Sequence, residues 1–107
     1  MLAAKGEIMF TLQDNNYTAS DHFRVAFSFG DGLLFSGNIK STHDEYIQGQ
    51  IYHVDIEFFT IMDEAYELIK NNLKYELAST MCAGNRILGI AKLTDFIYDG
   101  QPVPISA

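Results

Sequence analysis

The chain of 107 residues has no tryptophan, one cysteine, two prolines and only seven basic side chains. Each scarcity excludes something. The lone Cys82 cannot form an internal disulfide, so the core must hold the fold, and a reducing compartment, the cytoplasm, is the natural setting. The amino-terminal MLAAKGEIMF lacks the basic start and long apolar core of a secretory signal. Asp, Glu, Lys or Asn breaks every hydrophobic run before it reaches the ~18 residues a membrane helix needs, so no membrane partner is expected. Seven Lys and Arg against fourteen Asp and Glu leave a net charge of −7, a field that repels phosphate backbones and acidic lipid. Nucleic acid is disfavoured as a direct partner. A basic protein surface is the natural complement, beside the plainer reading that the charge serves solubility.

What is abundant is aromatic. Eight Phe and six Tyr, with hydrophobic residues at 48% and charged residues at 20%, describe an ordinary globular chain whose large side chains suit pleated strands. The length allows one domain, expected over residues 1–98, with residues 99–107 as an irregular tail that holds both prolines. Gly6 to Leu12 alternates, with Ile8, Phe10 and Leu12 on one face and Glu7, Met9 and Thr11 on the other. Phe23, Val25, Phe27 and Phe29 form the clearest period of two. Gly30-Asp31-Gly32 then predicts a tight hairpin returning through LLFSGNI, with Leu33, Phe35 and Ile39 on one face. KSTHDEYIQG reads as a polar loop. In QIYHVDIEFFT, Tyr52, Val54, Ile56 and Phe58 share one side, and His53, Asp55 and Glu57 the other. Thr60 with Asp63 has the form of a capping box for a short helix over about 61–71. Ile61, Ala65, Leu68 and Ile69 would be its apolar face, and Asn71-Asn72 its left-handed end. Tyr75 to Met81 and Ile87 to Phe96 complete five or six strands. Strands so short and evenly spaced predict an all-β barrel or sandwich.

Chemistry-bearing patterns are sparse. His22, His43 and His53 lie at no spacing that a zinc site uses, and a weak site at His43, Asp44 and Glu45 competes with a solvated acidic loop. No metal or other cofactor is expected. GNIKST lacks the first glycine and the following helix of a phosphate-binding loop. Cys82 would be a nucleophile only with a base such as His53 or His43, or with Arg86 lowering its pKa; in Met81-Cys82-Ala83 it reads as a small hydrophobe. The protein is therefore not expected to be an enzyme. Asp55 and Glu57 form an outward acidic stripe, which in water is either plain surface or a docking edge.

From about Gly49 to Phe96 the pattern resembles the final β-barrel of elongation factor Tu and related translation GTPases. YHVDIEFFTI, the excursion before LKYEL, and above all AGNRILGIAKL carry the likeness. In that family the closing hairpin has a Gly-X-Arg turn, two residues that include a hydrophobic one, and then Gly-X-Gly. Here Gly84, Arg86, Leu88 and Gly89 match, and Ala91 replaces the last glycine. The resemblance implies a six-stranded Greek-key-like barrel that binds tRNA and partner proteins and has no chemistry of its own. With no guanine-nucleotide motif in the chain, it does not imply GTP hydrolysis. Physically, Gly84 supplies a positive φ, Gly89 permits a close approach, and Arg86 can bond carbonyls or a carboxylate. The expected function is a non-enzymatic protein-binding barrel, in its most concrete version an inhibitor or immunity-type protein for a basic partner. Asp44, Glu45, His53, Asp55 and Glu57 are the expected contact residues. The alternative is a translation accessory binding ribosome, factor or tRNA. An exposed edge strand would also allow a homodimer.

Overall fold

A computed structural model describes residues 1–11, 17–18, 23–30, 32–40, 43, 45–84 and 86–105. Leu12, His22, Asp31, Asp44 and Asn85 of the sequence readings lie outside the described residues. In chain order the elements are β1 (Leu2–Phe10), β2 (Tyr17–Thr18), β3 (Phe23–Ser28), β4 (Leu34–Lys40), β5 (Glu45–Tyr46) and β6 (Ile51–Phe58). A helix α1 (Asp63–Ile69), a 3₁₀ turn (Lys70–Asn72), β7 (Leu77–Ala83), β8 (Arg86–Tyr98) and β9 (Gln101–Pro102) follow.

Period-two burial turns these strands into a closed antiparallel barrel. The ring runs β1-β6-β4-β3-β7-β8 and returns to β1. Strands β3, β4 and β6 are successive neighbours, and β1 lies beside the last of them after a long connection to the first, which is a Greek key. The expected inward faces are inward: Ile8 and Phe10, Val25, Phe27 and Phe29, and the whole set Tyr52, Val54, Ile56 and Phe58 are buried. Phe29 and Phe58 meet edge to face at 5.2 Å, and Phe27 meets Phe58 at 5.5 Å, filling one end of the barrel. Phe10, Tyr46 and Tyr52 fill the other end at 4.9–5.2 Å. Such pairs add about 0.5–1.5 kcal/mol each beyond burial.

Four local expectations are corrected. The stretch read as a polar loop carries β5, which pairs with β2, and its Tyr46 is wholly buried because its ring completes the Phe10–Tyr52 cluster. No side chain caps α1: Asp63, at φ 41°, opens the helix, and its N–H donates to the Tyr98 hydroxyl at 2.6 Å. Tyr66 stacks on the same Tyr98 ring at 3.8 Å; a tertiary contact replaces the Thr60 cap, and Leu68 is left exposed. Asn71 and Asn72 stay in the right-handed 3₁₀ turn, and Asn72 donates its side-chain amide to the Phe29 carbonyl at 2.9 Å. The tail does not leave the core. Asp99 and Gly100, both at positive φ, make a two-residue hairpin turn that lays Gln101–Pro102 against Ile97–Tyr98 and buries Val103, whose N–H bonds the Phe96 carbonyl at 3.0 Å.

Closure is made by β8 on β1, from Leu2 opposite Tyr98 to Phe10 opposite Gly89. A Cβ on Gly89 would stand 2.1 Å from the Met9 carbonyl oxygen and 2.9 Å from the Phe10 Cα, so only glycine lets the two backbones meet. Beside it the β7–β8 register shifts between Met81 and Cys82, with Leu88 as the extra residue, a bulge that turns β8 toward β1. Gly84, at φ 58°, has nothing within 4 Å of its would-be Cβ; it serves the turn alone.

The opposite seam is looser. Strands β3 and β7 pair only at Ala26–Cys82 and Phe27–Met81. One residue further the ladder passes to hydroxyls. Ser28 N–H donates to Ser79 Oγ and Thr80 N–H to Ser28 Oγ, each at 3.0 Å, while Thr80 Oγ1 donates to Ser28 Oγ at 3.2 Å.

The two glycines of the closing hairpin separate by experiment. Gly89→Ala is expected to destabilise the fold by about 3 kcal/mol through backbone displacement, and Gly84→Ala by about 1 kcal/mol through its left-handed φ alone. Urea denaturation midpoints measure both; equal losses would mean that the β1 and β8 backbones do not touch at Gly89.

Candidate interaction surface

The register of the barrel sorts its outward residues into belts. One belt runs Ile51, Met9, Ile90, Thr80 across β6, β1, β8 and β7, and the next runs His53, Glu7, Lys92, Ala78. A third runs Lys40, Asp55, Lys5, Thr94. Strand alternation puts each residue on the outer face, and pairing register decides its neighbours.

The expected contact residues divide accordingly. His53, Asp55 and Glu57 do share the outer face of β6, while Glu45 belongs to the separate β2–β5 pair. The carboxylates meet cations. Asp55 accepts from Lys5 Nζ at 3.2 Å, Glu57 is ion-paired with Lys40, and Glu7 lies 3.8 Å from both His53 Nδ1 and Lys92 Nζ. Lys92 also reaches Glu76 at 4.0 Å. The hydrogen bond and charge of Glu57, itself largely covered, hold Lys40 protonated above the ordinary lysine value; Glu67 does the same to Lys70 on α1. What reads along β6 as an acidic stripe is, across strands, a lattice of alternating charge lining a shallow depression of about 400 Å³. Such exposed pairs contribute little stability; their effect is to fix which charge faces outward where.

Beside this lattice lies a groove of about 600 Å³ lined by Met9, Ile51 and Ile90, by Ala78, Thr80 and Ser28, and by the charged Glu7, Glu76 and Lys92. Ile51 is 63% exposed and Ile90 50%, and the half-buried Met9 between them pairs with both. Sequence reasoning put Met9 on the face opposite Ile8 and Phe10 and assigned no face to Ile51 or Ile90. The signal for an isolated outward Met or Ile is weak, since single exposed apolar residues are common; only the register makes three of them a row.

The geometry also fixes the reactive groups. Cys82, half-buried, stands opposite Ala26 and Ile87, with its Sγ 3.8 Å from Thr80 Oγ1. His53 is on β6, which two strands separate from β7 in either direction around the barrel, so Cys82 and His53 do not meet. His43 packs edge-on against Tyr52 at 4.8 Å. Among the described residues no group of three or more His, Cys, Asp or Glu side chains converges as a metal site, and no helix is long and apolar enough to cross a membrane. No family model, curated protein or solved structure matches the chain.

The lattice has a spectroscopic signature. In the folded protein the hydrogen bond and charge of Glu57 raise Lys40 above the ordinary lysine value, so with Glu57 ionised the Lys40–Glu57 attraction holds at neutral pH and is lost as pH rises through the raised lysine pKa. Glu57→Gln is expected to bring Lys40 back to the ordinary lysine value, read by NMR of the lysine side chain. An unchanged titration would sever the pair.

Proposed function

We propose that this barrel is a cytoplasmic protein-binding module with no catalytic chemistry of its own, docking through the groove over Met9, Ile51 and Ile90. The observation that carries the reading is the juxtaposition of an exposed apolar row with belts of fixed charge. An apolar centre provides the free energy of association, and a charged rim sets orientation and rejects wrong partners. The surplus of carboxylates favours a basic partner, and an inhibitor or immunity-type role against a basic enzyme is the version that uses both features.

The second reading is a translation accessory. It is supported by the closed six-stranded Greek-key barrel and by the closing hairpin, whose sequence carries the resemblance and in which Gly84 takes a positive φ and Gly89 a close backbone approach. Co-sedimentation with ribosomes at moderate salt separates it from the first.

Ile90→Asp is expected to abolish recovery of the stoichiometric partner from cross-linked cells while shifting stability by less than about 1 kcal/mol, since the side chain is half exposed. Lys70→Gln, on the helix, should leave recovery unchanged. Repeated recovery of no partner, or of the same partner with both variants, removes the proposal.

A further inference from the structure

We infer that the partner enters as an extended segment that adds a strand to the open end of β7 beside Ala78; this rests on the protein-binding reading above. A closed barrel ordinarily has no edge to offer. This one has a notch, and its cause is the loose seam. Thr80 N–H points at Ser28 Oγ, away from β8. Backbone direction alternates along an antiparallel strand, so the N–H and C=O of Ala78 point the same way. Strand β3 does not extend far enough to meet them: it ends at Ser28, and the chain then turns through Gly30 and Gly32 into β4, with Leu33 N–H bonded to the Gly30 carbonyl at 2.9 Å. Among the described residues nothing pairs with Ala78 on that side. Ala78 is exposed, and Ser28, Glu76, Ala78 and Ser79 line the groove where it reaches the notch.

A donor and an acceptor side by side on a strand edge are met together by the backbone of another extended chain, the basis of recognition by strand addition. The side chains around the notch then specify the segment. Inward residues of an added strand would face the half-buried Leu77 at the margin of the core, which suits apolar side chains, while its outward residues would continue the belt of Ala78, Lys92, Glu7 and His53 beside Glu76. Glu76 is largely exposed, and its one cation among the described residues, Lys92, stands at 4.0 Å and is shared with Glu7, which leaves carboxylate charge for a basic side chain. The net charge of −7 draws the same segment at longer range and opposes a second copy of this chain. The occupant is therefore an extended segment in which apolar and basic residues alternate.

The probe is a fluorescein-labelled peptide of alternating valine and arginine, beside one of the same composition with the two residue types in separate blocks. Anisotropy is expected to give tighter binding of the alternating peptide. The Ala78 amide should exchange fast with solvent in the free protein and slowly when that peptide is bound. Ala78→Pro removes the N–H while sparing the β7–β8 ladder, because that N–H faces away from β8; it should weaken binding about tenfold, whereas Ala78→Ser, which keeps the donor, should not. Equal binding of the two peptides, no binding of the alternating one, or binding with Ala78 exchange unchanged would each overturn strand addition. Exchange protection of Ala78 that grows with protein concentration alone would overturn it in favour of a second copy. If Ala78→Pro fails to fold, the exchange measurement on the unaltered protein still decides. Failure here leaves the broader reading intact as long as Ile90→Asp still loses a cellular partner; loss of both is recognisable as failure of that reading itself.

Discussion

The contact between the backbones of β1 and β8 at Gly89 is the constraint on which the rest depends. No side chain larger than hydrogen fits beneath the Met9 carbonyl, and the Leu88 bulge exists to bring β8 into that position. The same contact that shuts the barrel fixes the pairing of Met9 with Ile90. The apolar row on the outside is thus a by-product of the register that seals the inside, and a one-residue slip would destroy both at once.

The two seams of the barrel divide labour. At β1–β8 the strands pair over nearly the full length of β1, whereas at β3–β7 the ladder gives way to a cluster of Ser28, Ser79 and Thr80 hydroxyls. Hydroxyls satisfy the backbone amides there without drawing the strands together, so polar groups that would be costly to leave bare are paired and the wall still splays. Glycine supplies closeness on one side and serine supplies separation on the other. Near Ile56 closeness recurs: Gly6 on β1 and Gly37 on β4 both lack the Cβ that would collide with its side chain, which lets one isoleucine spread across three strands.

Much of the fold was legible because a half-buried strand writes itself as alternation. The segment from Tyr52 to Phe58 and the phenylalanines from Val25 to Phe29 needed only period-two counting, and Gly30 and Gly32 marked their hairpin. Tyr46 was not legible, because two residues of strand carry no period and its burial comes from Phe10 and Tyr52, distant in sequence. The helix start was misread for a related reason: Thr60 and Asp63 match a local capping pattern, but Tyr98 supplies the acceptor from across the chain. The interaction surface was the least legible part. Asp55 and Glu57 are neighbours along a strand, yet Lys5 and Lys40, which alter what those charges present, are neighbours only through pairing. Reading along the chain finds charges; reading across strands finds surfaces.

The placement of β1 also sets the order of assembly. Leu2 pairs with Phe58 on one side and with Tyr98 on the other, so β1 cannot be enclosed until β8 has been synthesised. Local hairpins such as β3–β4 and β7–β8 can form early, but ring closure must await chain ends distant in sequence, a topology that folds slowly. Until then Ile8 and Phe10 lack their full cover, and the nascent chain exposes apolar surface that favours aggregation. The surplus of negative charge that shapes partner choice in the finished barrel would, during that interval, keep unfinished copies apart.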